Sequence, residues 1–366
     1  MVTKYTSVLN TLLEDIRSGK YRDAAFPSEN MSARRFSVGR KTVTKVYDEL
    51  ARRGLISRSR GSGTNLTQKA RTECGRIGLI VHGSDYCELF APISRRISHL
   101  CQKNGLVLLF ADLSGDAVTR RIGKVAQTAK EFVKTGVDGV IFQPVELVKD
   151  AEAINRRILS TFDEAGVPVV LLDSDILRSP ERSGYDLAAV NHIETGRRIG
   201  AHLVRQGAKR VAYLMAKDHA PCVQDRYLGV RIGADGHTVR GTAVHVRPGN
   251  AIALRKVMRE LKPDAFACYN DREARLLITT LSRLGYAVPG DVMVAGFDDV
   301  NYATISSPAL TTAHQPCDEL ADLAFEMLRT RIDDPDAPVR EIFLDAPLVV
   351  RETTRTQTKG ISECES

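Results

Sequence analysis

The sequence predicts an α/β protein in two unequal parts: an N-terminal winged helix-turn-helix, then a larger two-lobed body built on parallel sheets. Three observations carry this prediction. Apolar residues recur at helical spacing near the N-terminus and are followed by two short β-rich runs around a glycine-rich tip. From Arg76 onward, short apolar β runs alternate with helical stretches through two successive sets. The charge is also split: residues 1–75 hold 15 Lys+Arg against 7 Asp+Glu, while residues 76–366 hold 37 against 38. The basic character of the chain, net +7, therefore belongs to the small head and points to a polyanion as the head's partner.

Within the head, Val8, Leu12, Leu13 and Ile16 predict an amphipathic helix over Thr6–Ser18, closed by Gly19. Pro27-Ser28 opens a second helix with Ser28 as its N-cap and with Met31 and Phe36 facing inward. Gly39 breaks it. A third helix runs from Arg40, with Val43, Val46, Tyr47 and Leu50 as its inner face, and stops at Arg53-Gly54. Residues 55–57 (LIS) and 64–66 (TNL) flank the segment RSRGSG and predict a β-hairpin wing. In this arrangement the third helix is the recognition helix. Its first turns offer Arg40, Lys41, Thr42, Thr44 and Lys45. Arg forks onto guanine, Lys and Thr reach phosphates, and the helix N-terminus itself favours an anion. Arg58 and Arg60 ride the wing, where Gly61 lets the backbone approach a groove. Protein contact alone is the other use open to such a head.

The run PSEN…FSVGRKTVTKVYDELARRGLI…SRGSGT resembles the head of the GntR family over residues 5–66. The resemblance implies operator DNA as the partner, with base contacts carried over at Arg40 and Thr42 and further contacts at Ser28, Asn30, Lys41 and the wing. There are departures. Asn30 stands where the family has a base-touching Arg, Gly39 replaces a Ser cap and Thr44 replaces a second Arg. These imply an operator different from the family's commonest one.

Residues 67–75 (TQKARTECG) are polar and aperiodic and read as a linker. In the body, RIGLIV (76–81), LVLLFA (106–111), GVIF (139–142) and VPVVLLD (167–173) predict one set of strands. LAAV (187–190), RVAYLM (210–215), AVHV (243–246), DAFACY (264–269) and VMVAGF (292–297) predict a second. Helical stretches lie between them. Two such halves predict two lobes with a cleft, and ligands favour clefts and the C-terminal ends of strands. Beyond those ends stand His82, Tyr86, Phe90, Glu146 and Asp173, then Arg226, Asn270 and Asp298. Carboxylates, an amide, an arginine and aromatics in one place suit a sugar, whose hydroxyls take paired hydrogen bonds and whose C–H faces take rings. Helix capping is open as the role of Asp173, and a plain loop role is open for Glu146 and His82.

DRYLG (225–229), CYND (268–271), GDVMVAGFDD (290–299) and SPALTTAHQP (307–316) resemble the LacI/GalR regulators, whose bodies are built like periplasmic sugar-binding proteins. The match spans residues 76–352 and implies a periplasmic-binding-protein-like fold with effector contacts at Arg226, Asn270 and Asp298. A GntR head on such a body is similar to the arabinose-type repressors. The expected organisation is a DNA-binding domain at 1–66, a linker at 67–75, an effector and dimerisation domain at 76–352 and a polar tail at 353–366.

Other classes are disfavoured. No run of about 18 apolar residues is present, and the N-terminus has acids at Glu14 and Asp15 instead of a secretory core. The 7 cysteines show no C-x-x-C pair, which suits reduced thiols in the cytoplasm. No catalytic motif, metal-ligand spacing or cofactor fingerprint is found, so neither catalytic residues nor a metal nor a cofactor is expected. The reading is a transcriptional regulator, a repressor and homodimer on a palindromic operator, controlled by a sugar-like effector. The alternative is a cytoplasmic sugar-binding protein with no operator.

Overall fold

The computed structural model describes residues 4–17, 20–21, 25–59, 63–67, 75–81, 88–112, 118–146, 148, 150–177, 180–215, 220–237, 244–305 and 307–354. Arg60 and Gly61 of the wing, His82 and Tyr86, most of the expected linker and residues 355–366 lie outside them.

The head folds as helices α1 (Lys4–Arg17), α2 (Glu29–Phe36) and α3 (Arg40–Arg52), then antiparallel strands β1 (Ile56–Ser59) and β2 (Gly63–Leu66). Leu12, Val43, Val46, Tyr47 and Leu50 are fully enclosed at its centre. Ser28 caps α2, its Oγ accepting from Met31 N–H at 3.3 Å. The inward assignment of Met31 is corrected: Met31 is 63 % exposed, and its neighbour Ser32 is the buried residue of α2. The reason is polar. Tyr47, buried on α3, donates to the Pro27 carbonyl at 2.6 Å, and Ser32 Oγ supplies the phenol's second bond at 2.9 Å. Asp15 on α1 ties the helices together by bonds from Lys20, Tyr21 and Arg35.

The body holds two sheets. The first contains β3 (Arg76–Val81), β4 (Val107–Asp112), β5 (Gly139–Phe142), β6 (Val169–Asp173), β7 (Asp186–Val190) and β12 (Glu341–Leu344), all parallel, in the order β12-β7-β6-β5-β3-β4. Alternation along β3 sends Leu79 to one face and Ile80 to the other. Helices α4 (Phe90–Lys103) and α12 (Cys317–Asp333) cover the Leu79 face; α5 (Val118–Thr135) and α6 (Ala151–Asp163) cover the other. The second sheet contains β8 (Val211–Leu214), β9 (Ala265–Cys268), β10 (Met293–Asp298) and β11 (Thr311–His314), all parallel, with β13 (Leu348–Val349) antiparallel on β11. Helices α7 (His192–Arg205) and α8 (Pro221–Gly233) lie on one face, α9 (Ala251–Glu260) and α10 (Asp271–Arg283) on the other. A short α11 (Asn301–Ile305) follows β10.

The lobes are not two consecutive halves. The run 187–190, expected in the second set, is β7 of the first sheet. The chain passes to the second lobe at Asn191, returns at Pro316 to lay down α12 and β12, and crosses again before β13. The strand expected at 243–246 is reduced to one bridge between Leu214 and Val244. The first two residues of the expected tail pack into the second lobe. Thr353 and Thr354 are buried, and the Thr354 hydroxyl lies 2.7 Å from that of Thr311 and 2.8 Å from His202 Nε2.

Helices α7 and α8 meet backbone to backbone. A Cβ on Gly229 would lie 2.0 Å from the Ile193 carbonyl oxygen; one on Gly196 would lie 2.2 Å from that of Arg226. The glycines recur four apart on both helices, at 196 and 200 and at 229 and 233, so each faces its partner over a full turn. Gly229→Ala is expected to destabilise the chain by about 1–3 kcal/mol through forced overpacking. Gly123→Ala, on α5 with nothing within 4 Å of the added methyl, is expected to stabilise it by about 0.5–1 kcal/mol. Urea unfolding of both variants beside the parent checks the two signs.

Candidate functional site

Two regions carry the residues singled out from sequence. In the head, Arg40, Lys41 and Lys45 are exposed on the first turns of α3, with Thr42 and Thr44 half-buried beside them and Ser28 and Asn30 exposed on the adjoining start of α2. Glu29 organises this face. It pairs with Arg40 at 3.5 Å, accepts from the Thr44 hydroxyl at 3.0 Å and pairs with Arg58 of the wing. Arg58 also pairs with Asp48. One carboxylate thus links the recognition helix to the wing. Gly39, the N-cap of α3, makes no side-chain bond to the helix and leaves its first N–H groups open to an anion.

The second region lies where the lobes meet. Close packing of α7 and α8 delivers Arg226 into the seam at 5 % exposure. Its Nη1 donates to the Tyr269 carbonyl at 2.7 Å and stands 3.3 Å from Asp298 Oδ1, its Nε donates to His192 Nδ1 at 3.2 Å, and its guanidinium lies 4.8 Å from the Phe297 ring centre. Burial works most strongly against this cation, but Asp298, together with further groups around it including Asp173, outweighs burial and holds the guanidinium ionised. Asp298 also accepts from Gln315 Nε2 at 3.2 Å; burial pushes its carboxyl above the usual range against the pull of Arg226.

From the first lobe come Glu146 and Asp173. Ser174 Oγ donates to Glu146 Oε1 at 2.7 Å. Burial, with the Asp173 charge next, pushes the Glu146 carboxyl up to about 7, opposed by the Ser174 bond and Arg226. Asp173 feels the same burial, but His192 and Arg226 outweigh it and hold its carboxyl below the usual range. The strands end in strained backbone here: Asp173 has φ +73°, Asp298 +109° and Asp299 +57°. Such angles in non-glycine residues persist where surrounding contacts fix them, and they concentrate at functional positions.

Cavities open on either side of this cluster. One, of about 220 Å³, is lined by Asp173, Asn191, His192, Cys222, Asp225 and Phe343 among others. The other, of about 600 Å³, is lined by Glu88, Arg95, Asp298, His314, Gln315 and Asp318 among others. Arg226, Asp298, Asp173 and Glu146 are therefore brought together, with Tyr269 carrying the chain to Asn270. Asn270 itself caps α10, its Oδ1 accepting from Glu273 N–H at 2.9 Å. The effector assignment of Phe90 is corrected. It is the first residue of α4, 4 % exposed, and packs in the first lobe's core with Ile93 and Ile97. His192, Ser174 and Gln315 join the cluster without having been singled out. For His192 a sequence signal existed: it is the first residue of the glycine-bearing helix α7 that packs against α8.

Residues 4–66 match the model of the bacterial regulatory proteins of the gntR family, and residues 201–354 match that of a periplasmic binding protein-like domain. An arabinose metabolism transcriptional repressor of Geobacillus stearothermophilus is 26 % identical, the alignment covering 96 % of this chain and 98 % of the relative. A transcriptional repressor PurR of Mannheimia succiniciproducens is 28 % identical over 76 % of this chain and 81 % of its own. Among solved structures, the transcriptional regulator CelR in complex with cellobiose shares the fold at TM-score 0.62 and 20 % identity, covering 90 % of this chain and all of its own. A LacI family regulator from Enterococcus faecium with bound ribose does so at TM-score 0.60 and 20 % identity, covering 76 % and 98 %.

The raised carboxyl of Glu146 sets a pH dependence. Below about 4.5 the folded and unfolded chains both hold this proton; between about 4.5 and about 7 only the folded chain does, so stability falls as pH rises through that window and is level above it. Glu146→Gln is expected to stabilise the protein at pH 8, on the order of 1 kcal/mol for a half-buried group, and to change little at pH 4.5. Thermal melts at the two pH values check this.

Proposed function

We infer that this chain, which joins a gntR-family DNA-binding head to a periplasmic-binding-protein-like body, is a transcriptional repressor whose hold on its operator is set by a small sugar-like effector bound where the two lobes meet. The observation that carries the reading is the division of charge and burial between the parts. The head turns Arg40, Lys41 and Lys45 outward, while the body turns Arg226, Asp298 and Asp173 into a seam between its lobes. The relatives support it: one is a repressor of arabinose metabolism, and solved structures of the same fold hold ribose and cellobiose.

On this reading the domains are the head at 1–66, a tether over 67–75 and the two-lobed body after it. The chain acts in the cytoplasm with the DNA; among the described residues no helix is long and apolar enough to cross a membrane. Two heads read a palindrome, so the body supplies a homodimer contact. The outer faces of α4 and α10 are the surfaces for it, and Leu276 on α10, 42 % exposed, supports that choice. The tether carries the coupling: the effector fixes the lobes in one arrangement, and the spacing of the heads follows. A hundredfold release from DNA needs about 2.7 kcal/mol of difference in effector affinity between the two states. A few hydrogen bonds made in one arrangement supply that.

Fluorescence anisotropy of a labelled operator with and without L-arabinose, D-ribose or cellobiose tests the proposal: the effector should weaken binding, and tighter binding would reverse the sign. Operator affinity should fall steeply with salt, by a log–log slope of about −0.9 for each phosphate neutralised. Arg40→Ala is expected to lose operator binding and keep effector binding; Arg226→Ala is expected to bind the operator and ignore the sugar.

A further inference from the structure

Among the buried atoms at the seam that have no hydrogen-bond partner among the described residues are His192 Nε2 and Asp173 Oδ1. Both residues are 6 % exposed and both line the 220 Å³ cavity. The protonation of the ring follows from its other side. His192 Nδ1 accepts from Arg226 Nε–H at 3.2 Å, and arginine offers donors only, so Nδ1 carries the lone pair and the proton sits on Nε2. Nε2–H is therefore a donor. Asp173, whose carboxyl the nearby Arg226 charge draws toward the ionised form, is an acceptor. The two atoms are 3.8 Å apart, too far to bond each other.

A donor and an acceptor at that separation fit one hydroxyl, whose oxygen receives from Nε2–H while its proton goes to Oδ1. A phosphate or carboxylate oxygen has no proton to give, and an ammonium has no lone pair to receive with. The surrounding charge selects in the same direction. Around the smaller cavity stand Asp173, Asp175 and Asp225 against Arg182, which is already tied to Glu341 at 2.7 Å. Around the larger one, Asp298 and Asp299 are paired with Arg226 and Arg351, and Glu88, Asp318 and Glu319 still outnumber Arg95. Both approaches oppose an anion.

We propose that His192 and Asp173 form a subsite that reads one hydroxyl of the effector, and that the effector is a neutral polyhydroxy compound. The acidic surroundings then exclude a sugar phosphate or a sugar acid. The proposal rests on the sugar-receptor reading of the body and narrows it.

Titration calorimetry on the full chain decides it, with L-arabinose, D-ribose, D-xylose, D-galactose, cellobiose, D-ribose 5-phosphate and hypoxanthine as probes. A neutral sugar should bind at least tenfold more tightly than the phosphate ester. The single-deoxy analogues of the best neutral sugar are then compared on the parent, His192→Leu and Asp173→Ala. One analogue should lose about tenfold or more on the parent and less than about twofold further on either variant. Tighter binding of the phosphate ester would overturn this proposal and leave the sugar-receptor reading standing. Neutral binding with purely additive losses at every deoxy position would mean that only water occupies the subsite, with the same consequence. Binding of hypoxanthine alone, or of none of the sugars at millimolar concentration, would overturn both.

Discussion

Helices α7 and α8 come so close that the carbonyls of one lie where the Cβ atoms of the other would stand, and only glycine permits it. Much of the receptor half depends on that approach. It fixes the start of α8 against the start of α7, so that Arg226 and His192 share a hydrogen bond and the guanidinium is drawn below the surface. A long, flexible cation is thereby held at one point. Its remaining donors go to the Tyr269 carbonyl and face Asp298, both from the far side of the same lobe. The first lobe answers with Asp173 and Glu146. Burying one arginine among several carboxylates leaves the carboxylates unequal: Asp173 stays ionised while Glu146 is drawn toward its neutral form. The seam thus holds acceptors and donors of different character within a few ångströms.

Much of the architecture was legible from the residues. The three helices and wing of the head, the βα alternation and the break in texture at Arg76 follow from period and turn chemistry, and the structure returns them nearly residue for residue. The misreadings have definite causes. Met31 and Ser32 are one position apart on a short helix, about 100° around its axis; the apolar residue looked like the inner one, and a buried phenol's need for a partner decided otherwise. Phe90 follows a strand end, where rings meet ligands, but as the first residue of α4 it turns into the core. The run LAAV declares itself a strand without saying which sheet it joins, because that depends on neighbours far along the chain.

The site shows the same division. Arg226 and Asp298 sit in motifs that single them out, and Gln315 sits in another, whereas His192 meets Arg226 only because α7 and α8 pack together. The glycines of α7 and α8 are visible as a spacing in the sequence, yet their meaning depends on two helices finding each other. In the head, Glu29 is an acid among basic residues, and no periodicity or motif marks its role. Its value lies in organising bases: it sets the bearing of Arg40 and Arg58 relative to one another before any phosphate arrives.

The route of the chain has a consequence for biogenesis. The first lobe begins at Arg76, yet its sheet lacks the edge strand β12 and one of its covering helices, α12, until residues 317–344 have been made. Synthesis proceeds from the N-terminus, and domains generally fold as units during it. Here the lobe translated earlier must wait, its Leu79 face partly bare, while the second lobe is produced in between. The second lobe acquires most of its strands before that happens. A ribosome-bound chain would therefore display an unfinished first lobe and a nearly complete second one, and residues 317–349 would close both lobes and the seam between them.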